Sequence, residues 1–395
     1  MAKSQYPTSR ASAGVRRRDF DGDPSCRLRL MTSSRDRATL RLGIHDTSPE
    51  VARAAIVRLV ELDGTGASPT LRAALLDADL SIVEDLAKAL RDLRDPEALE
   101  LALQGLTQEP YTRRLAAAIT LGVMGDTSAA SRLRHLLDDP IAAVRQRSLE
   151  AITRLGPDDD TIEKAIALLD DQSPQVRIAA IRLLAGSHPQ PGPILARAIE
   201  DPSQQVRSEL ARHLGVLTAV DGRRLLEDPD ESVRCEAARY AGSEHIEALA
   251  QLLAGDARAE VRRAAARTLG TVRGQPAGNA LLGGIEDHDP LVRAAALHAL
   301  ERALTHHGAT ARLLDELSSE RAQRRCFSLY ALARVGDRDR ATHVWRLADD
   351  PDLEVRLAVI ETAAALLPDA EPLFVYMSTD PNKEVRASAQ QRLSN

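Results

Sequence analysis

Leu, Ile, Val and Ala recur at three- and four-residue spacing along almost the whole chain, in short blocks punctuated by Asp, Pro and Gly. That is the period of amphipathic helices, and no stretch shows the two-residue alternation of a strand. The blocks themselves repeat. Segments such as DDPIAAVRQRSLEAITRLG, DDQSPQVRIAAIRLLAG, EDPSQQVRSELARHLG and DDPDLEVRLAVIETAA align on an Arg at positions 145, 177, 207, 234, 262, 293, 325, 356 and 386. The same step carried backwards falls on Arg114, Glu84 and Ala52, so that successive units lie 27 to 32 residues apart. A fixed period of this size predicts a solenoid.

Each aligned block reads as one helix. An Asp six residues before the Arg is suited to capping, Pro beside it to a first turn, and Gly at the far end to a left-handed stop. Shorter apolar stretches between the blocks, such as TIEKAIALL and HIEALAQLL, supply a second helix. The repeating unit is therefore a pair of antiparallel helices, A and then B. The fold class expected is all-α, an α-α superhelix of about twelve two-helix repeats, forming one elongated body over residues 31–395 because each unit packs only on its neighbours.

The pattern D-P-x-x-x-V-R-x-x-A-A-x-x-L-G resembles the HEAT-repeat superfamily, in particular its phycobiliprotein-lyase-type branch, over roughly residues 33 to 393. The resemblance implies that the Asp and the Arg form a structural ladder between units, falling on Asp139/Arg145, Asp171/Arg177, Asp201/Arg207, Asp228/Arg234, Asp256/Arg262, Asp287/Arg293, Asp350/Arg356 and Asp380/Arg386. It also implies that the B helices line a concave face. Five residues beyond the ladder position, on that face, successive units place Arg182, Arg212, Arg239 and Arg267, and then His298 and Tyr330. Five residues is about 140° around a helix, so this column points away from the seam between units and forms a stripe on the order of 30 Å long. Glu209 and Glu236 lie within a turn of it, so a solvated face of paired charges is the plainer account.

Composition narrows the chemistry. The three cysteines, Cys26, Cys235 and Cys326, are too few for a disulfide framework or a thiolate metal site. No His-Glu dipeptide, nucleotide-binding glycine loop or serine elbow occurs, and His298, His306 and His307 are the only local histidine group. No catalytic residue, metal or cofactor is expected, and the chain reads as non-enzymatic. Residues 1–30 carry seven basic and three acidic side chains without an apolar period, which predicts a disordered basic tail, or an upstream misassigned start before Met31. The remaining residues carry 45 basic and 55 acidic side chains. An acidic body, on a chain with nine aromatic residues in all, disfavours nucleic acid as partner, and no apolar run approaches the roughly 18 to 20 residues that span a membrane. The expectation is a cytoplasmic monomer.

Repeat ten departs from the rest. Ser319 stands where the ladder Asp belongs, and Arg321, Arg324, Arg325, Phe327 and Tyr330 crowd one helix. Together with Trp345, Phe374 and Tyr376 this makes the C-terminal part rich in Arg and aromatics, the residues interfaces favour; Arg321, Arg324, Phe327 and Trp345 form a secondary interface candidate. The leading reading is a scaffold or adaptor that binds an acidic protein partner along the concave stripe. The alternatives are a bilin- or tetrapyrrole-handling lyase-like protein and a nucleic-acid binder acting through the same arginines.

Overall fold

The computed structural model describes residues 23–272, 275–304, 309–335, 338–367 and 369–394, and these form 24 α-helices joined by short turns and 3₁₀ segments, with no strand among the described residues. Where one continuous body over 31–395 was expected, contacts gather into two compact units, residues 1–194 and 195–395. Helix pairs that pack only on their neighbours need no linker for such a division.

Within the first unit the B helices are Pro24–Ser33, Pro49–Asp63, Leu80–Asp92, Tyr111–Met124, Ala142–Leu155 and Pro174–Ser187. Within the second they are Gln204–Arg212, Glu231–Tyr240, Ala259–Leu269, Pro290–Leu304, Ala322–Val335, Leu353–Leu366 and Lys383–Ser394. The intervening A helices are shorter and several close in 3₁₀ turns, for example Arg134–Asp138 and Arg338–Leu347. Most B helices bury the residue before the ladder position and aliphatic residues farther along the same face, as Val206 and Leu210, Val261, Ala265 and Leu269, and Val355, Val359 and Ile360 do. Burying a side chain of that size contributes about 1.5–3 kcal/mol.

The helix Pro24–Ser33 corrects the expected boundary at residue 30. Asp23 caps it and Pro24 opens it; Met31 is fully buried, with Leu28 and Leu30 packed against the same core. The basic tail expected before the repeats therefore includes residues that are helical, and the rest of it, residues 1–22, lies outside the described residues. His306 and His307 lie outside them too.

Candidate functional site

The ladder exists, with a pairing different from the one expected. Asp139 takes its charge partner from Arg114, at 2.7 Å, rather than from Arg145, and Arg145 reaches forward to Asp171 at 2.8 Å. In the second unit the rungs are Arg207–Asp228, Arg234–Asp256, Arg262–Asp287, Arg325–Asp350 and Arg356–Asp380, all between 2.6 and 2.9 Å. The expected partner six residues earlier is also touched, through its backbone. Arg145, Arg177, Arg207, Arg234, Arg262, Arg293, Arg356 and Arg386 each donate Nη1–H to the carbonyl oxygen of Asp139, Asp171, Asp201, Asp228, Asp256, Asp287, Asp350 and Asp380.

One guanidinium thus fixes the turn of its own unit with one edge and grips the next unit with the other. The same Asp carboxylate accepts the backbone N–H two residues on, as Asp228 does from Asp230 and Asp350 from Asp352. It stiffens the turn ahead of the B helix instead of capping the helix itself; the cap falls to residues such as Asp230 and Asp352. Burial alone would raise the Asp256 and Asp287 carboxyls. Their Arg partners and backbone N–H donors outweigh it and hold both below the ordinary carboxylate range.

The stripe positions are exposed, as a column about 140° from the seam should be. Arg182 lies in the first unit, on Pro174–Ser187, while Arg212, Arg239, Arg267, His298 and Tyr330 follow one another on B helices of the second. Glutamates temper the first two of these. Arg212 meets Glu209 at 3.3 Å and Glu236 at 3.4 Å, and Arg239 meets Glu236 at 2.7 Å.

Beyond Arg239 the picture changes. The helices Glu231–Tyr240, Ala259–Leu269 and Pro290–Leu304 bound a groove of about 670 Å³, lined by Arg239, Arg263, Arg267, His298 and Arg302 with, among the described residues, one carboxylate, Glu260, and floored by small residues such as Ala264, Ala295 and Ala299. Among the described residues neither Arg263 nor Arg267 makes an ion pair or side-chain hydrogen bond. The second and third helices approach closely at its end: a Cβ on Gly270 would stand 2.5 Å from that of Ala299, so a larger residue there would spread the groove.

Arg263 and Arg302 escaped the sequence reading, which followed a single residue per unit. The signal was present, since each lies one helical turn from a stripe residue, Arg263 before Arg267 and Arg302 after His298.

The secondary candidate does not form one patch. Phe327 is 4% exposed and belongs to the core, at a helix position that is buried in other units as Ala179 and Ala264. Arg325 is not part of a surface cluster but a rung. Arg321 and Arg324 both pair with Glu286. Trp345 is 39% exposed and lies against Tyr376, 6.5 Å between ring centroids, not against Phe327; the Tyr376 hydroxyl donates to Asp349 at 2.7 Å. That hydrogen bond, before burial, raises the Tyr376 phenol above its ordinary value.

Among the described residues no group of His, Cys, Asp and Glu could hold a metal ion, and no helix is long and apolar enough to cross a membrane.

Stacked helix pairs, most of their seams closed by a rung, define an α-solenoid. A family profile of HEAT repeats matches residues 38–121, 100–185, 222–301 and 246–325, more than half of the sequence, and the chain belongs to the HEAT-repeat family. The uncharacterized phycocyanin operon protein Y of Pseudanabaena tenuis (strain PCC 7409) is 27% identical over 157 residues, which is 38% of this chain and 37% of that protein. Among solved structures, importin beta is similar with a TM-score of 0.51 and 12% identity, covering 89% of this chain and 62% of its own. Kap121p gives 0.51 and 13%, covering 94% and 51%. The chain spans only part of each, and the likeness to the two solved solenoids is one of fold.

Proposed function

We propose that the protein is a non-enzymatic scaffold that binds an acidic protein partner in the groove of its second unit. The observation that carries this is the gathering of Arg239, Arg263, Arg267, His298 and Arg302 around one groove, two of them without a carboxylate, on a chain of net charge −6. Accessible guanidiniums such as those of Arg263 and Arg267 can donate to acceptors that a partner supplies, and carboxylates presented in a row supply them. Solenoids of this fold take protein ligands: Kap121p, at a TM-score of 0.50 and 14% identity, has been solved bound to Ste12p. Among the described residues the lining contains no Phe, Tyr or Trp, the rings on which single-stranded nucleic acid most often stacks its bases.

The test is affinity capture from native cells with Arg263→Glu/Arg267→Glu beside a control, Arg41→Glu/Arg132→Glu, which reverses two exposed arginines of the first unit. The expected outcome is loss of the partner from the groove variant alone at unchanged melting temperature. Equal recovery from both variants and the wild type would remove the groove from consideration.

A second reading is tetrapyrrole handling, favoured by the likeness to a phycocyanin operon protein. A shifted visible absorbance band on mixing the protein with a bilin would support it.

A further inference from the structure

Comparison of the seams inside the second unit singles out one position. Five seams are closed by an Arg–Asp rung. The sixth, between the helices Pro290–Leu304 and Ala322–Val335, is open because Ser319 holds the acceptor's place.

Ser319 performs every backbone task of that place. Its carbonyl accepts from Arg325 Nη1 at 2.7 Å, as the carbonyl of Asp350 accepts from Arg356, and its Oγ accepts the N–H of Arg321, two residues on, at 3.3 Å. What it cannot do is meet Arg293. That arginine donates Nη1–H to the carbonyls of Asp287 and His288, as a ladder Arg should, yet among the described residues its Nε and Nη2 have no acceptor. Both residues are only partly exposed. The seam therefore holds a donor edge laid out for an oxyanion, and the ladder position that supplies the carboxylate elsewhere carries a hydroxyl.

We infer that Ser319 is a phosphorylation site and that its phosphoryl group closes the open rung on Arg293. In the transfer, Ser319 Oγ attacks the γ-phosphorus of a nucleoside triphosphate bound to a protein kinase; the Oγ–P bond forms, the bond to the nucleoside diphosphate breaks, and the hydroxyl proton passes to the kinase's base. The side chain then reaches two bonds farther than the serine and carries the acceptor oxygens that Nε and Nη2 lack. Its surroundings suit the added charge. Across the seam Glu286 is already paired with Arg321 and Arg324, and Glu316 lies 3.5 Å from Arg324. The site is also reachable, since Ser319 sits in a turn between two exposed residues, Ser318 and Glu320.

The experiment installs phosphoserine at 319 of the full chain by translational incorporation and compares melting temperature and amide exchange with the unmodified protein. The modified chain is expected to melt about 2–4 °C higher and to exchange more slowly over 290–304. Ser319→Asp should give part of the gain. Arg293→Gln should abolish it, the phosphoserine chain being compared with the unmodified Arg293→Gln chain so that loss of the Nη1 bonds to the turn at Asp287 and His288 cancels. A phosphoserine chain that melts no higher than the unmodified one, or that gains as much with Arg293→Gln, would overturn the rung. A peptide covering 317–324 that is never phosphorylated in protein isolated from its native cells would overturn the modification.

Discussion

Two stretches of the molecule solve the same packing problem differently. In the second unit each closed seam contains a nearly buried ion pair; at Arg262–Asp287 the side chains are 4% and 6% exposed. Early in the first unit, the seams between B helices on either side of Leu80–Asp92 have none; the nearly buried pair there, Arg72–Asp95, runs instead from the A helix Ser68–Leu75 to the turn that opens Pro96–Gly105. The ladder position is Ala52 in one helix and Glu84 in the next, the former fully buried and the latter paired with Lys88 on its own helix surface. Val51, Ile56, Val83, Leu86 and Leu90 close these seams through apolar contact, and the pair that joins B helix to B helix, Arg53–Asp85, is exposed. A seam can thus be stable without a rung. What the rung adds is registration, because a bidentate pair tolerates one offset between helices while aliphatic side chains tolerate several.

The contrast can be broken most forcefully by Arg262→Ala. It strands the Asp287 carboxylate in a buried seam and should cost about 3–5 kcal/mol, read from urea unfolding of the full chain. Arg53→Ala, at the exposed pair, should cost less than about 1 kcal/mol. Similar losses from both would mean that the two kinds of seam do not differ as described.

Acid should sharpen the same difference. The Asp256 and Asp287 carboxyls are held below their ordinary value in the folded state. The stability they contribute is present above the unfolded carboxylate pKa, about 3.9, and is lost as pH falls through the lower folded value. Replacing one rung by an apolar pair, Arg262→Met/Asp287→Leu, should leave stability at pH 7 within a few kcal/mol of wild type in either direction and shrink the drop in urea midpoint between pH 7 and pH 3. An unchanged drop would show that this rung does not contribute to acid sensitivity.

The smallest effect belongs to the first unit. Arg94 ends Leu80–Asp92 with φ 55°, and Asp95 N–H reaches back to the Leu90 carbonyl, the closure that glycine favours. Arg94→Gly should therefore raise stability by about 0.5–1 kcal/mol, measured as a small rise in melting temperature. A fall would mean that the arginine side chain contributes more than its backbone strain costs.

Much of this was legible in the residues. The period of 27–32 gave the helix pairs and the identity of the ladder residues. The direction of the ladder was not legible, because a spacing of six puts Asp and Arg of one unit close together without saying whether carbonyl or carboxylate faces the guanidinium. The Asp–Pro start at residues 23 and 24 is the same signal that opens later units, yet the dense basic charge around it read as a tail. Phe327 read as surface because its helix is crowded with arginine, although its phase matches the buried Ala179 and Ala264. The groove was half legible. Its column follows from helical phase, whereas its walls come from neighbouring turns, Arg263 and Arg302, that no single register contains.

The forward-facing rung has a consequence for how such a chain changes over generations. Each unit carries one donor for its successor and one acceptor for its predecessor, so it works like a coupling with a plug at one end and a socket at the other. Excision of one whole period, from Arg234 to Val261, would leave Arg207 facing Asp228 and put Arg262 in the place of Arg234, facing Asp287, with both halves of each joint intact. Unequal recombination between copies can therefore lengthen or shorten the array without first inventing a new junction, and what must be re-matched after each event is the groove.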